Sequence, residues 1–465
     1  MKDTQDMLCA AARDGDVAGI RELLKSGAKV DLTSPTTGST ALHTACAGGH
    51  ADAVRALLAA GAKVNRRGAK GRTALIFACS NGHIEVARLL LEDRTIDVNA
   101  RDDTDTPLFQ ACYNSSIEMV DLLLSRGADT ERVDCKGWRP LHAAVIDNAE
   151  RVVPHHVVAG SDAVRPPTAV AAAERPASDS ALHFALTRAL LAAGAKVNVV
   201  NKNGNTPLHI ACMNGFTDAA RLMLAAGAKV EAVNKFGCSP LHDACLNGHI
   251  DAVNLMLAAG AKVDQRSANG HTLLNSACHN GHIDVARLLL ETAHARAYVN
   301  TPDDNDASPL LYAGNRGDLP MMRLLLDNGA LTNAPGQLPP LHAAVSRQNP
   351  KATALLLAAG AAINARFMGM TALQMCDDPG IEILRLMIGA GADITLRDRE
   401  GRTPVCLMRA AVASGAVATH KLCSTCGARC HRRCPCGTER YCDADCQRTH
   451  RPAHKALCAA LMRDA

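Results

Sequence analysis

"STALHTACAGGHADAVRALLAAGAKVN" beginning at Ser39 and "NTPLHIACMNGFTDAARLMLAAGAKVE" beginning at Asn205 are nearly the same text, written far apart in one chain. Self-similarity of this kind constrains a fold more than any single motif, because a phrase that recurs at a fixed spacing specifies one structural unit repeated along an axis. Anchored on the leucine of the phrase T-(P/A)-L-H, copies stand at Leu42, Leu75, Leu108 and Leu141, then at Leu208, Leu241 and Leu274, each step within a block being 33 residues. Weaker copies anchor at Leu8, Leu182, Leu310, Leu341 and Leu373, and "GRTPVCLMRAA", around Val405, carries only a first half, so about twelve copies and a terminal half are expected.

The chemistry of the phrase predicts its structure. Thr73, Thr106 and Thr206 are helix N-cap residue types followed by Ala or Pro at the first helical position. Gly49, Gly82, Gly215, Gly248 and Gly281 end that helix, and a second helix such as "DAVRALLAAG" presents a Val and Leu stripe before Gly61, Gly227 or Gly260 closes it ahead of a short finger. Each unit buries its apolar face only against its neighbours, which predicts an all-α solenoid. This text resembles the ankyrin-repeat family over roughly residues 4–413. The resemblance implies a helix-turn-helix stack with short hairpin fingers that grips proteins through finger tips and inner helices. Candidate partner-binding residues are the non-template side chains on the fingers: Arg66, Arg67, Lys202, Lys235, Phe236 and Arg266.

Residues that recur in register read as structure. Cys46, Cys79, Cys112, Cys212, Cys245 and Cys278 each fall four positions after their anchor. Stacked helices lie about 8–10 Å apart, beyond the roughly 7 Å that a disulfide spans, so the thiols are expected to be small buried hydrophobes. His43, His142, His209, His242 and His342 share one template position and are expected to hydrogen-bond the turn, since an active site needs one special copy. The template breaks between Leu141 and Leu208, where Pro154, Pro166, Pro167 and Pro176 occur. Prolines inside a helix cost about 3 kcal/mol each, so a flexible insertion is expected over about residues 150–178.

Composition excludes several function classes. The net charge is +4 and aromatic residues are 2% of the chain, which argues against a polybasic or base-stacking nucleic-acid binder. The start "MKDTQDMLCAAARDGD" has no apolar stretch of signal-peptide type, and no run of about 18 uncharged apolar residues follows. A soluble intracellular protein is expected, cytoplasmic or nuclear, without a membrane partner. In a reducing compartment its 19 cysteines read as free thiols or metal ligands.

Eight of those cysteines crowd into the 36 residues "CSTCGARCHRRCPCGTERYCDADCQRTHRPAHKALC" from Cys423 to Cys458. Cys423 and Cys426 form a C-x₂-C knuckle, and Cys442/Cys446 and His454/Cys458 are i, i+4 pairs on helix faces. With Cys434 and Cys436 the tail supplies four ligand pairs, enough for two tetrahedral zinc sites. A segment this short and this polar cannot hold itself together by burial, which favours zinc over a redox switch or a nucleophile. These spacings resemble a MYND-type zinc finger. The resemblance implies a cross-braced arrangement with Cys423, Cys426, Cys442 and Cys446 on one zinc and Cys434, Cys436, His454 and Cys458 on the other. It also implies docking of proline-rich peptides, for which Gln447 matches the family and Arg451 stands in place of its tryptophan. The "CPC" pair is one residue tighter than the family's C-x₂-C, leaving Cys430 or His431 as alternative ligands there, and His450 spare.

The resulting division is an ankyrin-repeat array over residues 1–413, a linker over 414–421 and a zinc finger over 422–460. No Gly-rich phosphate loop, kinase signature or G-x-S-x-G elbow occurs. The expected function is a non-catalytic scaffold or adaptor. The alternatives are a regulatory or substrate-recognition part of a methyltransferase or ubiquitin-ligase assembly, or a transcriptional co-regulator.

Overall fold

Most copies of the phrase begin with a hydroxyl that caps a helix, the exceptions being Arg139 and Pro339 before the helices that start at Pro140 and Pro340. Thr40, Thr73, Thr106, Thr206, Ser239, Thr272 and Ser308 sit in extended backbone, and each side-chain oxygen accepts a hydrogen bond from the backbone N–H three residues on. In several copies the template histidine returns the bond: His43 Nδ1 accepts from Thr40 N at 3.1 Å and His209 Nδ1 from Thr206 N at 3.1 Å. A ring nitrogen that accepts carries no proton, so the other nitrogen is the N–H donor. His43 Nε2 donates to Arg66 O at 2.9 Å, His142 Nε2 to Asn205 O at 3.0 Å and His209 Nε2 to Cys238 O at 3.1 Å. One imidazole thereby ties the start of its own helix to the following finger.

The computed structural model describes residues 2–146, 177–291, 298–334, 338–375, 380–402, 432–433 and 440–441. The chain divides into two units, Met1–Lys262 and Val263–Ala465. In the first, helices pair as α1 (Lys2–Asp14) with α2 (Val17–Lys25), α3 (Ala41–Gly48) with α4 (Ala51–Ala59), α5 (Ala74–Asn81) with α6 (Ile84–Leu91), and α7 (Pro107–Tyr113) with α8 (Ile117–Ser125). The series continues with α9 (Pro140–Ala143) and α10 (Ala177–Ala192), α11 (Pro207–Met213) and α12 (Thr217–Ala225), and α13 (Pro240–Asn247) and α14 (Ile250–Ala258). First helices stack on first helices and second on second throughout this unit.

The second unit repeats the pattern with α15 (Leu273–Asn280) and α16 (Ile283–Glu291), α17 (Pro309–Arg316) and α18 (Leu319–Asp327), and α19 (Pro340–Ser346) and α20 (Pro350–Ala358). A two-residue hairpin, β1 (Arg366–Phe367) with β2 (Met370–Thr371), then precedes α21 (Gly380–Gly389). Far along the chain, β3 (Arg432–Arg433) pairs antiparallel with β4 (Arg440–Tyr441) in the register Arg432 to Tyr441 and Arg433 to Arg440. Helices therefore dominate the described residues, as the periodicity predicts.

The anchor leucines form the core. Leu8, Leu42, Leu75, Leu108, Leu141, Leu208, Leu241, Leu274, Leu310, Leu341 and Leu373 are all buried, each worth about 2 kcal/mol in removed apolar surface. The six laddered cysteines are buried too and unpaired, and burial pushes their thiols far up.

Leu182 requires a correction. It is only half-buried and lies inside α10, which stacks on α8 and α12 as the second helix of the pair begun by α9. It anchors no copy of its own. The finger after α10 follows directly on the finger before α9, Lys202 N donating to Lys136 O at 3.2 Å. Of the insertion expected over about 150–178, residues 150–176 lie outside the described residues, whereas Ala177 and Ser178 belong to α10. The half copy from Val405 and the linker 414–421 also lie outside the described residues.

Candidate partner-binding surface

In several fingers between repeats a single Asn or Asp shapes the turn. Asn201 Oδ1 accepts from Asn203 N at 2.9 Å and Asn205 N at 3.0 Å, and Asn234 Oδ1 accepts from Phe236 N at 2.9 Å and Cys238 N at 3.0 Å. Asp134 does the same for Lys136 N and Trp138 N. Neighbouring fingers are then joined edge to edge. Lys235 N donates to Asn203 O at 2.9 Å and Asn234 Nδ2 to Asn205 Oδ1 at 2.8 Å. Gly204, at φ +79, permits this approach, since a Cβ there would sit 3.1 Å from Lys235 N.

With their backbone groups spent on one another, the fingers direct their remaining side chains outward. Arg66, Arg67, Lys202, Lys235 and Phe236 are all exposed in the unit Met1–Lys262, and Arg266 is exposed in the other unit, where its Nη2 donates to Pro302 O at 3.3 Å. Lys202, Lys235 and Phe236 share two adjacent fingers, whereas Arg66 and Arg67 stand on the finger between α4 and α5. Two neighbours escaped the sequence reading: Val200 is 52% exposed and Val233 57% exposed, each just before its finger's asparagine. Aligning the copies reveals them, because Arg67 holds the same place in an earlier finger. Gln447, Arg451 and the expected zinc ligands Cys423, Cys426, Cys434, Cys436, Cys442, Cys446, His454 and Cys458 lie outside the described residues.

The titratable groups of the array belong to the same scaffolding. Burial lowers His142 and His209 to about 4, which keeps both rings neutral. Arg72 Nε meets Asp102 Oδ2 at 3.1 Å, linking the base of one finger to the next. In the unit Val263–Ala465, His271 Nε2 and Asp303 Oδ2 repeat this link at 3.0 Å, and the Tyr312 hydroxyl donates to the same carboxylate. Burial works against the Asp303 charge, but the bonds from His271, Tyr312 and the Ala307 and Asn305 amides outweigh it and hold the carboxyl at about 2. Its Oδ1 still shapes the finger through Asn305 N and Ala307 N at 2.9 Å each, so the cluster is a finger link with a histidine where another copy uses Arg72.

One group fits no such role. Asp243 in α13 is 3% exposed, its Oδ2 has no hydrogen-bond partner, and burial raises its carboxyl well above the usual range. Among the described residues no cluster of three metal-ligating side chains occurs, and no helix is long and apolar enough to cross a membrane.

A family model described as "Ankyrin repeats (3 copies)" matches the chain over residues 8–102, 97–155, 176–267 and 259–336, well over half of its length. The gap between the second and third stretches falls inside residues 147–176, and none of the stretches reaches the cysteine-rich tail.

Proposed function

The chain belongs to the ankyrin-repeat family, and on that premise we propose that it is a non-catalytic scaffold whose array holds one protein while its tail, folded as a MYND-type zinc finger, engages another. The observation that carries the array's part is the finger ladder. Its backbone groups are satisfied internally, and it displays Arg66, Arg67, Lys202, Lys235 and Phe236 to solvent from fixed positions. Rigid display of variable side chains lowers the entropy lost on association. Among the described residues the template imidazoles and the finger carboxylates bond to fingers and caps, which is work for a framework.

For the tail, the donor set supports the reading. Eight cysteine and histidine side chains in four pairs fit two zinc ions of four ligands each. Cys423, Cys426, Cys442 and Cys446 would hold one, and Cys434, Cys436, His454 and Cys458 the other, with Cys430 or His431 as alternatives at the tight "CPC". The β3–β4 pairing is compatible with this: β3 ends one residue before Cys434 in the chain, and β4 one residue before Cys442. Zinc there would supply about 10–16 kcal/mol of folding free energy. Gln447 and Arg451 are the residues proposed to meet a proline-rich peptide.

Charge reversal of Arg66, Arg67, Lys202 and Lys235 together is expected to abolish capture of the array's partner while thermal unfolding stays unchanged. Undiminished capture would move the partner surface to the second helices.

A further inference from the structure

Three valines on the fingers of the first unit stand in register, apart from the other exposed apolar side chains there, Met7, Leu32 and Ile250. Val133, Val200 and Val233 occupy the position before the Asx residue in three successive fingers, half-buried in the first and exposed in the other two. Lys202 and Lys235, each directly after its finger's asparagine, are exposed, as is Lys136, two residues after Asp134 at the place that Phe236, 42% exposed, holds in the third finger. The carboxylates that might neutralise the lysines are used elsewhere: Glu131 pairs with Arg139 at 3.3 Å, and Asp134 caps its own finger. Neither Lys202 nor Lys235 has a described carboxylate within ion-pair distance; the Lys202 ammonium donates to Cys135 O at 2.6 Å.

We propose that this valine and lysine ladder docks an extended acidic peptide segment of a partner protein, with apolar side chains about every third residue and Asp or Glu between them. The spacing follows from geometry. Stacked repeats advance by about 8–10 Å, and an extended chain rises about 3.3 Å per residue, so consecutive valines meet side chains roughly three residues apart. Charge complementarity sets the sign, because unpaired ammonium groups beside an apolar row favour carboxylates and repel basic segments. Short valine side chains at fixed finger spacing match a peptide better than a lipid surface, which longer apolar side chains would have to enter. The inference rests on the scaffold reading and names the chemistry of its partner.

A random library of about twelve-residue peptides selected on the full chain tests it, with anionic vesicles containing phosphatidylserine as a parallel probe. The selected peptides are expected to be rich in Asp and Glu with apolar residues about three apart, to weaken with added salt, and to lose a factor of about ten or more in affinity for Lys202→Glu/Lys235→Glu and for Val200→Asp/Val233→Asp. Basic or uncharged winners, equal binding to either variant, binding to vesicles alone, or no enrichment would each overturn the inference. If the array still captures a protein while no acidic peptide is enriched, this inference falls and the scaffold reading stands.

Discussion

Acidification from about pH 7 to about pH 5 is expected to destabilise the array, and His209→Asn is expected to remove about 2 kcal/mol of that loss. Burial lowers His142 and His209 from an ordinary 6.5 to about 4 in the folded chain, so each ring stays neutral where the unfolded chain would protonate it. A folded pKa below the unfolded one means that the stability is complete above about 6.5 and disappears as the pH falls through 4, at up to about 1.4 kcal/mol per pH unit for each ring. His43 and His342 are lowered by burial in the same direction. Asparagine is an available substitute, since Asn275 fills this template position in α15 and its Nδ2 reaches Thr301 O at 3.4 Å. Urea midpoints across that pH range provide the check, and a variant that loses stability as steeply as the parent would refute the assignment.

Asp243 acts with the opposite sign, and its replacement is expected to stabilise the chain. Its folded pKa lies above the unfolded value, so its contribution is best below about pH 4 and worsens as the pH rises. Near neutrality the folded chain must either keep this carboxyl protonated or bury a charge without a partner. Ile210 occupies the same template position in α11, where it is 3% exposed, which shows that the inner stack accommodates an aliphatic side chain. Asp243→Ile is therefore expected to gain about 1–3 kcal/mol near pH 7. It should also steepen the loss on acidification by about one proton, because the offset to the histidines is gone. Lower stability at neutral pH, or an unchanged pH slope, would contradict this reading.

The two substitutions also separate what was legible in the text from what was not. The period, the caps, the buried cysteine ladder and the template histidines follow from residues that recur in register, and recurrence is visible without coordinates. Leu182 misled because "SALH" at Ser180–His183 imitates the anchor phrase although it lies inside the second helix of a pair. By the 33-residue period that leads on to Phe216 and His249, His183 corresponds to His50 and His83, but it lies within its second helix and not before it. Its Nδ1 meets Ala144 O at the end of its own pair's first helix at 2.7 Å, whereas His50 Nε2 reaches back to Arg13 O of the preceding pair at 2.7 Å. The finger residues Lys202, Lys235 and Phe236 stood out as departures from the template. Val200 and Val233 did not, since valine is an ordinary core residue and only its place on a finger leaves it exposed. Asp243 likewise reads as a polar helix residue until stacking buries it.

The division into an array held by packing and a tail held by metal is tested most directly by native mass spectrometry of the anaerobically purified full chain, before and after chelation, with circular dichroism on the same samples. Two zinc ions per chain are expected, from eight ligands at four per ion. Chelation should remove both and leave most of the helical signal, and Cys442→Ala should lose about one ion and disorder the tail, because the two ligand sets interleave along the chain. A content of zero or one zinc, or collapse of the array's helical signal when the metal is withdrawn, would contradict it.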